Sequence, residues 1–90
     1  MKTSLKFPLP ARNHNELALR VRKILQPVIK ANNFSPRVGN LLIDAVTDAF
    51  NRADGMAGNS VFDTASVSNC AFTVQANALT GEVHIYKKIA

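Results

Sequence analysis

The feature that most constrains the fold of this chain is the spacing of its apolar residues, which changes twice along the sequence. Residues 4–9 alternate apolar and polar, residues 17–50 repeat apolar side chains every three or four positions, and residues 71–89 alternate again. Alternation is typical of half-buried strands, and the longer spacing is typical of amphipathic helices. The sequence therefore predicts an α+β fold with two helices packed on a small antiparallel sheet. The predicted order is strand, helix, helix, short strand and β-hairpin, and 90 residues fit a single domain, 1–90.

The first strand is predicted at about residues 3–9. Leu5 and Phe7 fall on one side of it, and Ser4 and Lys6 fall on the other. Prolines at positions 8 and 10 follow closely, and proline cannot donate to a sheet ladder. We therefore expect an edge strand, or one that ends near Phe7.

The first helix is predicted at about residues 13–32. Asn13 is suited to cap its start, and Glu16 can reach back to the cap. Its apolar stripe is formed by Leu17, Val21, Ile24 and Val28. Pro27 lies inside this pattern, where proline removes a hydrogen bond and collides with the preceding turn. We expect either a kink at Pro27 or a helix end near position 26.

The second helix is predicted at residues 36–53. Ser35 followed by Pro36 is a favoured helix start, because a hydroxyl caps the first turn and proline suits the first helical position. Gly55 is suited to a left-handed cap that ends the helix. A broad apolar face runs between these ends, formed by Val38, Leu41, Leu42, Ala45, Val46, Ala49 and Phe50.

A C-terminal hairpin is predicted at about residues 68–89, with its turn in residues 77–81. A short strand at Val61-Phe62 is a further expectation. Two registers are open for the hairpin. In the preferred one Val74 lies opposite Val83, and the apolar residues of both strands share one face. A glycine-bulge turn would instead place Val74 opposite Tyr86 and invert the second strand, which burial disfavours.

The charge permits nucleic-acid binding but does not indicate it. The chain has 11 Lys and Arg against 6 Asp and Glu, a net charge of +5 and a pI of about 9.9. A phosphate-binding surface needs several cations on one face, whereas these are spread along the chain. Because so small a core is marginal without disulfides, we expect a homo-oligomer.

The location that we expect is cytoplasmic, without membrane association. Cys70 is the single cysteine, so no intramolecular disulfide can form and a reducing compartment is the simpler interpretation. The first residues lack the apolar stretch of a signal peptide, and no apolar run is long enough to span a bilayer.

No catalytic, metal or cofactor site is predicted. Cys70 and His84 are the one pair of nucleophile and base, but the preferred register puts Cys70 inside with Phe72 and puts His84 on the opposite face. Cys70, His14 and His84 are too few for a zinc site unless carboxylates or a partner chain contribute. Asp44 and Asp48 lie four residues apart on the predicted second helix and could act as paired carboxylates in acid–base chemistry. A solvated helix face is the simpler interpretation. No phosphate-binding glycine motif is present.

The outward face of the predicted sheet is the candidate binding surface. It is polar and basic and carries one aromatic residue, which suits a protein partner or a stacked RNA base. Its predicted residues are Lys2, Ser4, Lys6, Thr73, Gln75, His84, Tyr86 and Lys88.

The order strand, helix, helix over residues 1–54, with Leu5-Lys6-Phe7-Pro8-Leu9-Pro10 at the strand exit and Ser35 at the second helix, resembles the ribbon-helix-helix repressors. In that family two N-terminal strands pair across a dimer and lie in the DNA major groove. The resemblance implies that Lys2, Ser4 and Lys6 read DNA. The first helix is longer than in that family, and the C-terminal hairpin is additional.

The leading hypothesis is a non-enzymatic small protein that acts by stoichiometric binding to a protein partner. A regulator or inhibitor of the kind that phages and mobile elements encode would fit. The alternative is a ribbon-helix-helix-like DNA-binding repressor that uses its N-terminal strand.

Overall fold

A computed structural model describes residues 2–8, 14–56 and 64–88, and the side chains of His14 and residues 54–56 lie outside this description. The described part contains two helices, α1 (His14–Ala31) and α2 (Pro36–Met56). It also contains four strands, β1 (Lys2–Lys6), β2 (Thr64–Ser68), β3 (Phe72–Asn77) and β4 (Glu82–Lys87). Neither of the two helices is long and apolar enough to cross a membrane.

The four strands form one antiparallel sheet in the order β1-β4-β3-β2, and the predicted α+β class is confirmed. The N-terminal strand lies at one edge beside β4, as its flanking prolines predict. The core lies between one face of the sheet and the helices. Its largest fully buried side chains are Phe7, Leu25, Leu42, Phe72 and Ile85, with several valines between them.

Helix α1 runs through Pro27 without ending there. Pro27 and Lys23, whose carbonyl loses its helical partner, are both exposed, so water can satisfy that carbonyl. The predicted end near position 26 is therefore wrong. Leu25 is fully buried, although the predicted stripe omitted it, whereas Ile24 and Val28 are only partly buried.

Helix α2 begins as predicted. The Val38 amide donates to Ser35 Oγ at 3.3 Å, and Pro36 is the first helical residue. The helix continues to Met56, so the predicted end at residue 53, with Gly55 as the cap, is too early. Asn33 joins the two helices in a left-handed conformation with φ of 54°, which asparagine tolerates better than most residues. Asn13, the predicted cap of α1, lies outside the described residues.

The β3–β4 turn sets a hairpin register that differs from both of the registers considered from the sequence. Val74 pairs with Ile85 and Ala76 pairs with Val83, two residues away from the preferred register. The reason is the turn. Asn77 Oδ1 accepts the amides of Leu79 and Thr80 at 2.9 and 3.0 Å, and the Gly81 amide donates to the Asn77 carbonyl. A shift of two residues keeps every side chain on its face, so the predicted shared apolar face is confirmed.

Strand β2 occupies residues 64–68, whereas the predicted short strand at Val61-Phe62 lies outside the described residues. Ala65 and Val67 point inward, and hydroxyl residues alternate with them. Asn69 ends the strand with three bonds from one side chain. Its Oδ1 accepts the amides of Ala71 and Phe72, and its Nδ2 donates to the Leu41 carbonyl at 3.0 Å. These bonds fix the end of β2 against α2.

The exit of β1 is fixed to both layers. The Phe7 amide donates to the Gly81 carbonyl at 2.8 Å, and the Phe7 ring meets Phe50 of α2 edge-on at 5.3 Å between ring centres. Arg20 of α1 donates to the Pro8 carbonyl and forms an ion pair with Glu16 at 2.8 Å. The first strand is therefore an integral part of the domain.

Candidate binding face

The face of the sheet that points away from the helices is an open polar surface, called the outer face below. Each strand contributes alternate residues to it, because successive side chains of a strand point to opposite sides. Its members are Lys2, Ser4, Lys6, Thr64, Ser66, Ser68, Thr73, Gln75, Asn77, Glu82, His84 and Tyr86.

One row across the four strands carries the aromatic residue. Lys2 of β1 lies opposite Tyr86 of β4, which lies opposite Thr73 of β3. The Lys2 ammonium is 5.9 Å from the centre of the Tyr86 ring, within the range of a cation–π interaction. Thr73 shares a 2.9 Å hydrogen bond with Ser68 Oγ of β2. Neighbours on both sides thus limit the orientations of Tyr86.

The middle row carries the histidine. Ser4, His84, Gln75 and Ser66 lie side by side, one from each strand. His84 Nδ1 is 3.0 Å from Ser4 Oγ. His84 Nε2 is 4.0 Å from a Glu82 carboxylate oxygen, which forms an ion pair only when the histidine is protonated. These two neighbours limit the orientations of the imidazole.

The third row mixes charges. Lys6 lies opposite Glu82, and Asn77 Nδ2 donates to Thr64 Oγ1 at 3.1 Å. Lys2 and Lys6 against Glu82 leave the outer face with a small positive charge. This is far less than the string of cations that a nucleic-acid groove uses.

The structure brings together seven of the eight predicted surface residues, namely Lys2, Ser4, Lys6, Thr73, Gln75, His84 and Tyr86. Lys88 follows β4, and its Nζ donates to the Asn69 carbonyl at 2.6 Å, at the end of the sheet. The sequence interpretation missed Asn77 of β3, Glu82 of β4 and, on β2, Thr64, Ser66 and Ser68. The alternation of the three β2 residues with Ala65 and Val67 is the signal that would have found them.

The prediction that Cys70 is buried is wrong, because Cys70 is exposed. It belongs to the β2–β3 turn, where the Asn69 side chain turns the backbone before β3 begins. A dyad with His84 remains unsupported. His84 lies opposite Gln75, three strand positions or about 10 Å from Phe72, and Cys70 lies beyond Phe72.

The paired carboxylates on α2 form an ordinary solvated helix face. Asp48 Oδ2 lies 3.3 Å from Arg52 Nε, and Asp44 is exposed. Both line a shallow groove of about 600 Å³ between the helices, together with Leu19 and Arg22. They also line a smaller groove of about 330 Å³ between α2 and β2.

Within the described ranges, no group of three or more histidine, cysteine, aspartate or glutamate side chains is placed to hold a metal ion. The side chain of His14 lies outside these ranges.

Comparison with protein-family models, with curated proteins and with solved structures finds no match to this chain. The geometry of the outer face therefore carries the functional argument.

Proposed function

We propose that this chain is a non-enzymatic binding protein that contacts a protein partner through the outer face. The observation that carries the proposal is the open, ordered outer face itself. It presents three rows of polar side chains, and the helices pack on the opposite face of the sheet. A regulator or inhibitor that works by occupying its target fits such a surface. We expect it to act in the cytoplasm, where Cys70 stays reduced.

Tyr86 is the expected centre of the contact. It is half-buried on an inner strand, with Lys2 on one side and Thr73 on the other. Tyrosine is enriched among the residues that dominate binding energy, and an aromatic ring held by its neighbours loses little conformational entropy on binding. His84, in the next row, adds a hydrogen-bonding group that Ser4 already orients.

The size of the outer face limits the affinity. Four strands at about 4.8 Å spacing and five residues at about 3.3 Å give a flat area of about 320 Å². A standard stable interface buries about 800 Å² on each partner. The outer face of one chain is therefore expected to support weak binding unless the partner also contacts its surroundings.

Nucleic-acid binding is the weaker alternative. In a ribbon-helix-helix repressor the N-terminal strand pairs across a dimer, whereas here β1 pairs with β4 of its own chain at the edge of a four-stranded sheet. This pairing within one chain differs from the family's pairing across a dimer, although Lys2 and Lys6 still face outward. One aromatic and two lysines are a thin set for stacking bases and neutralising phosphates.

The test is affinity capture from native lysate with and without nuclease, using the wild-type chain, Tyr86→Ala and Lys30→Glu. Lys30 is exposed on α1 in the helix layer, so its variant controls for a general change of surface charge. We expect captured protein to survive nuclease and moderate salt. Tyr86→Ala is expected to weaken binding between about fivefold and thirtyfold, and Lys30→Glu is expected to leave it intact.

Recovery of nucleic acid alone, with steep loss on adding salt, would overturn the proposal in favour of DNA or RNA binding. Equal capture by the wild-type chain and Tyr86→Ala would place the contact elsewhere on the molecule.

A further inference from the structure

Strands β1 and β2 lie at the two edges of the sheet. Each points those backbone N–H and C=O groups that do not take part in the sheet ladder away from its neighbouring strand. The Asn69 amide bonds to the Phe72 carbonyl, so alternation along the antiparallel ladder directs the backbone groups of Ala65 and Val67 toward β3. The backbone groups of Thr64, Ser66 and Ser68 then point away from β3, beyond the edge of the sheet. By the same argument the Phe7–Gly81 bond leaves the groups of residues 2, 4 and 6 pointing outward from β1.

The two edges differ in their protection against pairing with another strand. Proteins commonly guard an edge with charged residues, lysine above all, and with proline. Strand β1 has Lys2 and Lys6, and Pro8 follows it. Strand β2 has the sequence TASVS, without charge or proline. Its residues Thr64, Ser66 and Ser68 are exposed. Among the described residues, β2 is therefore the edge open to another strand.

Strand β2 is complementary to itself. We propose that two copies of this chain pair antiparallel along β2, about a twofold axis at Ser66. This pairing places Ser66 opposite Ser66 and Thr64 opposite Ser68 of the second copy, and hydroxyl residues directly opposite each other are a favourable cross-strand pair. The same pairing of β1 about Ser4 would oppose Lys2 and Lys6, which repel.

The adjoining helix supports the same occupant through charge complementarity. Asn69 binds the Leu41 carbonyl, and α2 returns antiparallel to β2. Three strand residues, about 10 Å, correspond to between six and seven helical residues, which puts Ser66 level with Asp48. The groove between α2 and β2 is lined by Asp44, Asp48 and Arg52 on the helix side.

A twofold axis near Asp48 brings the position four residues before Asp48 in one copy beside the position four residues after Asp48 in the other copy. Arg52 of each copy then lies beside Asp44 of the other, giving two symmetric ion pairs. Asp48, nearest the axis, already has Arg52 of its own helix at 3.3 Å. The groove that is open in one copy is filled by α2 of the second copy.

The dimer would join two sheets into one of eight strands and double the outer face to about 640 Å². The inference stands whether or not the outer face binds a partner. The edge is about 17 Å long and the two layers together are about 20 Å deep, so each copy contributes a flat area of about 340 Å². That is below a standard interface, and we expect a reversible dimer that dissociates on dilution.

Sedimentation over a concentration range from about 1 μM to about 1 mM tests the dimer, because weak interfaces dissociate in this range. We expect the mass to rise from 9.8 kDa toward twice that value. Ser66→Pro removes only an outward amide, which an edge strand tolerates, and should hold the chain as a monomer. Ser66→Lys opposes two lysines across the axis and should also weaken the dimer.

Gln75→Lys is the matched control, because Gln75 is exposed in the same row but on inner strand β3. It adds the same charge and should leave the dimer unchanged. Asp44→Arg alone should weaken the dimer between about twofold and thirtyfold, and the combination with Arg52→Asp should restore it.

A mass of 9.8 kDa at every concentration would overturn the proposal. So would a dimer that survives both Ser66 variants, since another surface would then form it. The wild-type chain could instead stay monomeric and bind a different protein that Ser66→Pro fails to bind. That result would overturn the dimer and assign the edge to a strand of this other partner.

Discussion

Replacing Gly81 with alanine tests how β1 is joined to the rest of the sheet. Gly81 has φ of 76°, in the left-handed region that disfavours residues with a Cβ. A Cβ built at this position would overlap the Phe7 carbonyl oxygen, which is backbone and cannot turn aside. The substitution therefore strains the β3–β4 turn and pushes the end of β1 away from β4.

The expected cost has two separable parts. The left-handed conformation costs about 1–2 kcal/mol for alanine. Displacing β1 breaks the Phe7–Gly81 hydrogen bond, worth about 1 kcal/mol, and loosens the contact of Phe7 with Phe50. We expect a total loss of about 3 kcal/mol in the free energy of unfolding. For a domain of this size that corresponds to a fall in Tm of about 12–24 °C.

Urea unfolding followed by far-UV circular dichroism measures the loss, since the chain has no tryptophan. Gly39→Ala is the matched control. Its Cβ would meet only the Ile29 side chain at 3.2 Å, and the gain in helix propensity should offset that contact to within about 1 kcal/mol.

Gly81→Asn separates the two parts, because asparagine tolerates the left-handed region but keeps the overlap with Phe7. We expect it to cost about 2 kcal/mol, from the lost bond and the displaced Phe7. A loss below about 1 kcal/mol for Gly81→Ala would refute the reasoning, because even the turn strain would then be absent.

Three further outcomes follow from the described contacts. Asn69→Ala should lower the unfolding free energy by about 2–3 kcal/mol in urea titration, because one side chain makes three hydrogen bonds; an unchanged midpoint would contradict this. Pro27→Ala should stabilise the chain by about 1–3 kcal/mol, since it restores a helical amide at an exposed position of α1; a lower Tm would show that proline is favoured there. Cys70 should react with a thiol reagent in the native state at a rate close to that in urea, and strong protection would contradict its exposure.

The spacing of apolar residues was enough to predict the two helices and the shared apolar face of the hairpin, and the prolines at positions 8 and 10 predicted the edge position of β1. It could not predict that α1 continues through Pro27. That outcome depends on whether the carbonyl four residues earlier reaches water, which becomes known only when the packing of α1 is known. Strand β2 escaped prediction because it has only Ala65 and Val67 to mark its inner face.

Burial alone could not choose between hairpin registers two residues apart, because both keep the same residues inside. The side-chain bonds of Asn77 and the left-handed Gly81 decided between them. Alternation correctly put seven residues of β1, β3 and β4 on the outer face, although Asn77 and Glu82, next to the turn, were missed. The position of Cys70 did not follow from alternation, because Asn69 ends the alternation three residues before β3 begins.

The pairing of β1 with β4 also determines when the sheet can be completed. Lys2 pairs with Tyr86, so residues at opposite ends of the sequence must meet, and such distant pairings form slowly. During synthesis at about 5–20 residues per second, β1 waits roughly 4–17 s for its partner strand to be made. Throughout that interval β1 has no strand beside it in the sheet, and the sheet that covers the helices is incomplete. The nascent chain is therefore most vulnerable to aggregation or capture by a chaperone just before β4 is made.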